Sequence, residues 1–158
     1  MIRMDRENAA GMFRFDTSGV DWKPFVTEGC FYRILDVNVP ARSAEMLVKF
    51  TPRGRCLYHR HVAAVKTLVL EGDLHLFEPT PEGELHTVKP AGSFSVGAGG
   101  EVHVEGAEEK EVIVYFSMQS ATDIVYETLN PDLSLMRSIT VQDFERDWRN
   151  WSETDGRA

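Results

Sequence analysis

Between Cys30 and Tyr126 the chain runs as short apolar stretches broken by turn residues. The stretches cover 31–39, 44–50, 56–61, 65–70, 74–78, 85–88, 94–96, 102–104, 111–118 and 123–126. Among the breaks are Thr51-Pro52-Arg53-Gly54, Glu71-Gly72-Asp73, Pro79-Thr80-Pro81-Glu82-Gly83 and Gly97-Ala98-Gly99-Gly100. Strands of this length and spacing, punctuated by Gly and Pro, predict an all-β antiparallel sandwich or barrel. A helical period appears near the C-terminus. Thr140 is placed to cap a helix with Asp143 three residues on as its partner. Phe144, Trp148 and Trp151 then recur at i, i+4 and i+7, which puts three aromatic rings on one helix face. A short helix over about 140–151 is therefore expected to lay its rings across the barrel or against a second subunit.

At 158 residues the chain is expected to form a single domain over 1–158, with its barrel core over about 30–126. Hydrophobic residues at 42% and charged residues at 27% are values of an ordinary globular fold, which argues against a disordered chain. The net charge of -8 counts against nucleic acid as a partner, because such partners need a basic footprint. Arg53, Arg55 and Arg60 form a local basic group, but no aromatic residues are interleaved for base stacking. The apolar stretches fall far short of the roughly 20 residues that cross a bilayer, and residues 1–8 lack the apolar region of a secretion signal. No membrane association is expected. Cys30 and Cys56 are the only cysteines, too few for a disulfide framework or a thiolate zinc site, so a cytoplasmic setting and plain packing are expected of them.

Five histidines stand at positions 59, 61, 75, 86 and 103. In a strand, side chains return to one face every second residue, so His59 and His61 point the same way while Tyr58 and Arg60 point the other. Two neutral imidazoles facing a barrel interior need partners for their nitrogens, and a metal ion supplies them. His75 follows Asp73 by two and shares its face, which allows it a supporting role, whereas His86 reads as a surface residue.

The surroundings of these histidines carry a resemblance. His59-Arg60-His61 is followed by Leu70-Glu71-Gly72, and downstream Gly92, Gly100 and His103 fall in register with a second motif in which Ala98 replaces a proline. These features resemble the cupin superfamily across about 31–126. The resemblance implies a double-stranded β-helix, or jelly-roll barrel, with a metal near its middle and commonly a homodimer. The chain departs from the pattern twice. Arg53 stands where the first motif has a Gly, and Val65 stands where it has a metal-binding Glu. The implied ligand set is then the three-histidine face of His59, His61 and His103 without a carboxylate.

Such a face is similar to that of the acetylacetone-cleaving dioxygenases and of cysteine dioxygenase. The segment 46–78 looks closest to a group holding the acetylacetone-cleaving enzymes, the 2,4'-dihydroxyacetophenone dioxygenases and the cupin domains of zinc-dependent anti-sigma factors. Thiol oxidation fits less well, because no Cys-Tyr crosslink partner can be assigned. The resemblance implies iron(II), with Zn²⁺ or Ni²⁺ as other divalent occupants, and a small diketone or hydroxyaryl ketone cleaved with dioxygen. Glu101, two residues before His103, is the candidate catalytic carboxylate that orients a ligand imidazole or takes the enol proton. The alternative is a cupin that holds Zn²⁺ for binding or sensing and turns nothing over.

Overall fold

The computed structural model describes residues 3–6 and 13–151, with side chains from Phe15 onward. Among the described residues, fourteen strands and one helix follow one another. They are β1 (Arg3–Arg6), β2 (Phe13–Asp16), β3 (Lys23–Pro24), β4 (Cys30–Asn38), β5 (Ser43–Phe50), β6 (His59–His61) and β7 (Ala64–Glu71). Then come β8 (Leu74–Thr80), β9 (Gly83–Lys89), β10 (Phe94–Gly97), β11 (Val102–Gly106), β12 (Val112–Gln119), β13 (Ile124–Leu129), β14 (Leu135–Thr140) and α1 (Val141–Arg149). Apart from the β1–β2 pair they form two six-stranded antiparallel sheets, in the orders β10-β7-β12-β5-β4-β3 and β14-β13-β6-β11-β8-β9. The all-β expectation holds, and the order of each sheet crosses the chain repeatedly, as in a jelly roll.

The core lies between the sheets. β5 reads Ser43 to Phe50 with Ala44, Met46, Val48 and Phe50 turned inward, and β12 adds Val112, Val114, Phe116 and Met118 from the next strand. Their pairing puts Val114 opposite Val48 and Phe116 opposite Met46, so the alternation builds one continuous apolar surface. The turn between β7 and β8 needs Gly72. Its φ is 73°, and a Cβ there would sit 2.2 Å from the Glu111 carbonyl oxygen.

The helix starts where the sequence predicts. The Thr140 hydroxyl accepts from the Asp143 amide at 3.2 Å while the Asp143 carboxylate accepts from the Thr140 amide at 2.9 Å, a capping box. Val141 and Phe144 are buried, Trp151 is 5% exposed, and Trp148 packs at the edge of the core. The rings lie over β4: Tyr32 meets Trp151 edge-on at 5.2 Å, and its hydroxyl donates to Asp147. Among the described residues no helix is long and apolar enough to cross a membrane.

Candidate metal centre

β6 and β11 are neighbours, and the register sets His103 directly opposite His59 and Val102 opposite Arg60. On its other side β6 pairs with β13, Tyr126 facing His61 and Thr128 facing His59. Opposed residues share a face of the sheet and the face recurs every second position. His59, His61, His103, Tyr126 and Thr128 therefore point inward together, and so does Glu105, two residues beyond His103. Arg60 faces away and binds Glu127 at 2.9 Å, and Tyr58 donates to Glu84 at 2.9 Å.

All four potential ligands are buried, and one donor atom of each lies within 4.8 Å of the others. His61 Nε2 is 3.1 Å from both His59 Nε2 and His103 Nε2. Glu105 Oε1 lies 3.1 Å from His59 Nε2, 3.4 Å from His103 Nε2 and 3.9 Å from His61 Nε2. The three expected histidines come together, and a carboxylate that was not expected joins them. Glu105 completes a cluster of three histidines and one glutamate, although Val65 stands at the usual glutamate position.

Glu101 sits elsewhere. Its carboxylate folds back over the β10–β11 turn, accepting from the Gly99 amide at 3.4 Å, and its carbonyl accepts from the His61 amide at 2.9 Å. It belongs to no group of donor atoms gathered among the described residues. Its backbone tie to His61 supports the frame of the site, and the inward carboxylate near His103 is that of Glu105.

The donor set fits a divalent ion. Each imidazole Nε2 has one hydrogen or one lone pair, so His61 Nε2 cannot bond both neighbours at 3.1 Å. A central cation accepts all the lone pairs at once. Metal–nitrogen bonds of about 2.0–2.1 Å place donors at right angles about 3.0 Å apart and tetrahedral donors about 3.4 Å apart, which brackets the observed nitrogen separations. The backbone also selects the tautomer of one ligand. The Leu57 carbonyl, which can only accept, lies 3.0 Å from His59 Nδ1, so Nδ1 carries the proton and Nε2 is left free to bind.

Protonation works in the same direction for two of the four. Burial penalises the Glu105 carboxylate, but the surrounding imidazoles, His103 foremost, hold it well below the usual carboxylate range. Burial and the neighbouring imidazoles His59 and His103 hold His61 neutral below the ordinary imidazole value, against the pull of Glu105. His59 differs: burial lowers it, yet Cys56 and Glu105 together raise it well above that value.

The cluster opens on a cavity of about 40 Å³ lined by Met46, Val48, Phe50, Phe116, Met118, Tyr126 and other mostly apolar residues, room for about three water-sized groups. Phe25 and Val26 line it too, and Val26 is 56% exposed, so the mouth of the cavity is at this pair. Both residues also line the groove beneath α1, with Met46 and Tyr126. Cys30 is buried and Cys56 half-buried. Cys56 does more than pack: its Sγ accepts from the Glu105 amide at 3.2 Å and lies 3.6 Å from His59 Nδ1.

Arg53, at the position where the motif has a Gly, has a φ of 65°, the left-handed conformation in which glycine is unstrained.

Residues 10–122 match the ChrR cupin-like domain. The chain belongs to that family. Among solved structures, this cupin is similar to an RmlC-like cupin protein from Ralstonia eutropha JMP134, with 14% identity, a TM-score of 0.69 and coverage of 89% of this chain and 87% of the other. A putative acetylacetone dioxygenase from Methylibium petroleiphilum PM1 aligns with 19% identity, a TM-score of 0.66 and coverage of 83% and 90%. An acetylacetone dioxygenase from Acinetobacter johnsonii aligns with 14% identity, a TM-score of 0.68 and coverage of 94% and 98%. No curated protein matches the sequence significantly. At these identities the neighbours share the fold.

Proposed function

We propose that this cupin is a non-haem iron(II) dioxygenase that cleaves a C–C bond in a small diketone or hydroxyaryl ketone. The observation that carries the reading is the buried cluster of His59, His61, His103 and Glu105 at the end of a small apolar cavity. When bound, iron(II) supplies Lewis acidity together with the dioxygen chemistry that Zn²⁺ lacks.

The chain's own residues set what can bind. Three neutral imidazoles and one carboxylate leave a dipositive ion with a net positive charge, which favours a ketone bound as its enolate. Phe116, Met118 and Tyr126 exclude water from that end of the cavity, so the charge is weakly screened. Glu105 is held ionised by its neighbours and makes a poor proton acceptor; its part is to bind. The overall reaction consumes one dioxygen per ketone and leaves both oxygen atoms in the two fragments, a carboxylic acid among them.

The test is oxygen uptake by anaerobically iron-reconstituted protein given pentane-2,4-dione or 2,4'-dihydroxyacetophenone in air. Stoichiometric uptake with carboxylate formation is the expected result. The competing reading is a zinc-binding module, which the count of four protein donors favours because structural zinc sites are closed by four ligands. Zinc in the protein as isolated, with no uptake across a ketone panel, would decide for that module.

A further inference from the structure

The face of β8 and β11 turned away from the cavity gathers a second set of donors. In the β8–β9 pair Phe77 stands opposite His86 and His75 opposite Val88, so His75, Phe77 and His86 share one face and the two histidines are diagonal neighbours. β11 sets Val104 opposite Phe77 and Gly106 opposite His75, and Glu108 follows just past the end of that strand. His75 Nδ1 is 2.8 Å from His86 Nε2. One donor atom each from His75, His86 and Glu108 lies within 4.8 Å of the others.

The arrangement is braced. The His86 ring stacks on Phe77 with centroids 4.5 Å apart, and the Arg55 guanidinium lies 3.8 Å from the Phe77 ring centre. The adjoining cleft is lined by Asp73, Glu108 and Glu109 against a single Lys110, so carboxylates outnumber cations where an ion would approach.

We propose that His75, His86 and Glu108 form a second, solvent-open binding site for a divalent transition ion of the Zn²⁺, Ni²⁺ or Cu²⁺ class. Two imidazoles with one carboxylate suit those ions, whereas Mg²⁺ and Ca²⁺ take sets of oxygen ligands. The site is independent of the buried cluster, since the two occupy opposite faces of the same sheet. It also has a built-in competitor. Arg55 Nη2 donates to Glu108 Oε1 at 3.1 Å, so the guanidinium and an incoming ion contend for one carboxylate.

Calorimetric titration of the metal-stripped full chain with Zn²⁺ tests this. Wild type takes up two equivalents of different affinity. His75→Ala and His86→Gln each lose one and keep the other, and His103→Ala keeps the one they lose. Arg55→Gln tightens that second equivalent several-fold without moving the first. A single equivalent in wild type, or two in both His75→Ala and His86→Gln, would overturn the proposal. Glu108→Gln loses the same equivalent as the histidine variants, and a wild-type second equivalent in Glu108→Gln would remove Glu108 from the site. Because His86 is exposed, its substitution leaves folding intact and the result readable.

Discussion

The sheet β10-β7-β12-β5-β4-β3 meets the cavity with Cys30, Met46, Val48, Phe50, Phe116 and Met118, whereas the sheet β14-β13-β6-β11-β8-β9 meets it with His59, His61, Glu105, Tyr126 and Thr128. Both sheets use the same alternation and are buried on the same side, yet one supplies only contact surface and the other supplies the donors. The difference follows from what each task demands. Apolar burial is non-directional and tolerates exchange among residues of similar size. Coordination needs four atoms fixed to within a few tenths of an ångström, which the register of β6, β11 and β13 provides and which a loop would not. Damage to the two sheets should therefore be separable: metal lost on one side, stability on the other.

The largest effect is expected at the donors. His103→Ala should lose the divalent metal of the buried cluster while remaining folded, as measured by elemental analysis beside circular dichroism. Glu105→Ala should weaken metal binding by at least the roughly 10–100-fold seen when a mere outer partner of a ligand is removed. If Glu105→Ala kept wild-type affinity, the site would work as three histidines alone and the carboxylate would be a bystander.

On the opposite sheet Met118 is 2% exposed. Met118→Ala should cost about 2–5 kcal/mol of stability, read from denaturant unfolding, with the metal content per folded chain unchanged. Loss of metal in this variant would break the division between the sheets.

That division was only half visible in the sequence. The turn spacing and the period of two were enough to show an all-β fold and the shared face of His59 and His61, because both are local properties of the chain. Glu105 is not among the expected ligands, although His103-Val104-Glu105 repeats the spacing of His59-Arg60-His61, because the family pattern places its carboxylate at the position of Val65. The neighbours of each strand are a different matter. Nothing local says that β6 lies between β11 and β13, or that Glu108 comes to rest near His75 and His86, because those contacts depend on the closure of long connections.

The mouth of the cavity offers a smaller, kinetic test of the apolar wall. Phe25 and Val26 line both the cavity and the groove under α1, so a larger side chain at Val26 should obstruct passage without touching a ligand. Val26→Trp is expected to slow the extraction of bound metal by a bulky chelator several-fold and to leave the equilibrium affinity unchanged. Equal extraction rates would mean that the route to the metal lies elsewhere.

The smallest effect is expected at α1, which lies on β4 of the wall sheet and reaches none of the donors. Thr140→Ala removes the side-chain half of the capping box and should cost about 1 kcal/mol, with metal content unaltered. The partner residue adds a dependence on pH. Its slight burial works the other way, but the Thr140 amide and hydroxyl and the Arg146 guanidinium hold the Asp143 carboxyl below its ordinary value of 3.8. A carboxyl whose value falls on folding stabilises the folded state above the unfolded value and loses that contribution as pH drops through the folded one. Stability from this cap should therefore be complete above about pH 5, roughly one unit above that ordinary value, and decline as acid protonates Asp143. Asp143→Asn, which keeps the shape and removes the titration, should flatten that part of the profile. An identical acid profile in Asp143→Asn and wild type would show that other carboxylates, Glu105 among them, govern the loss.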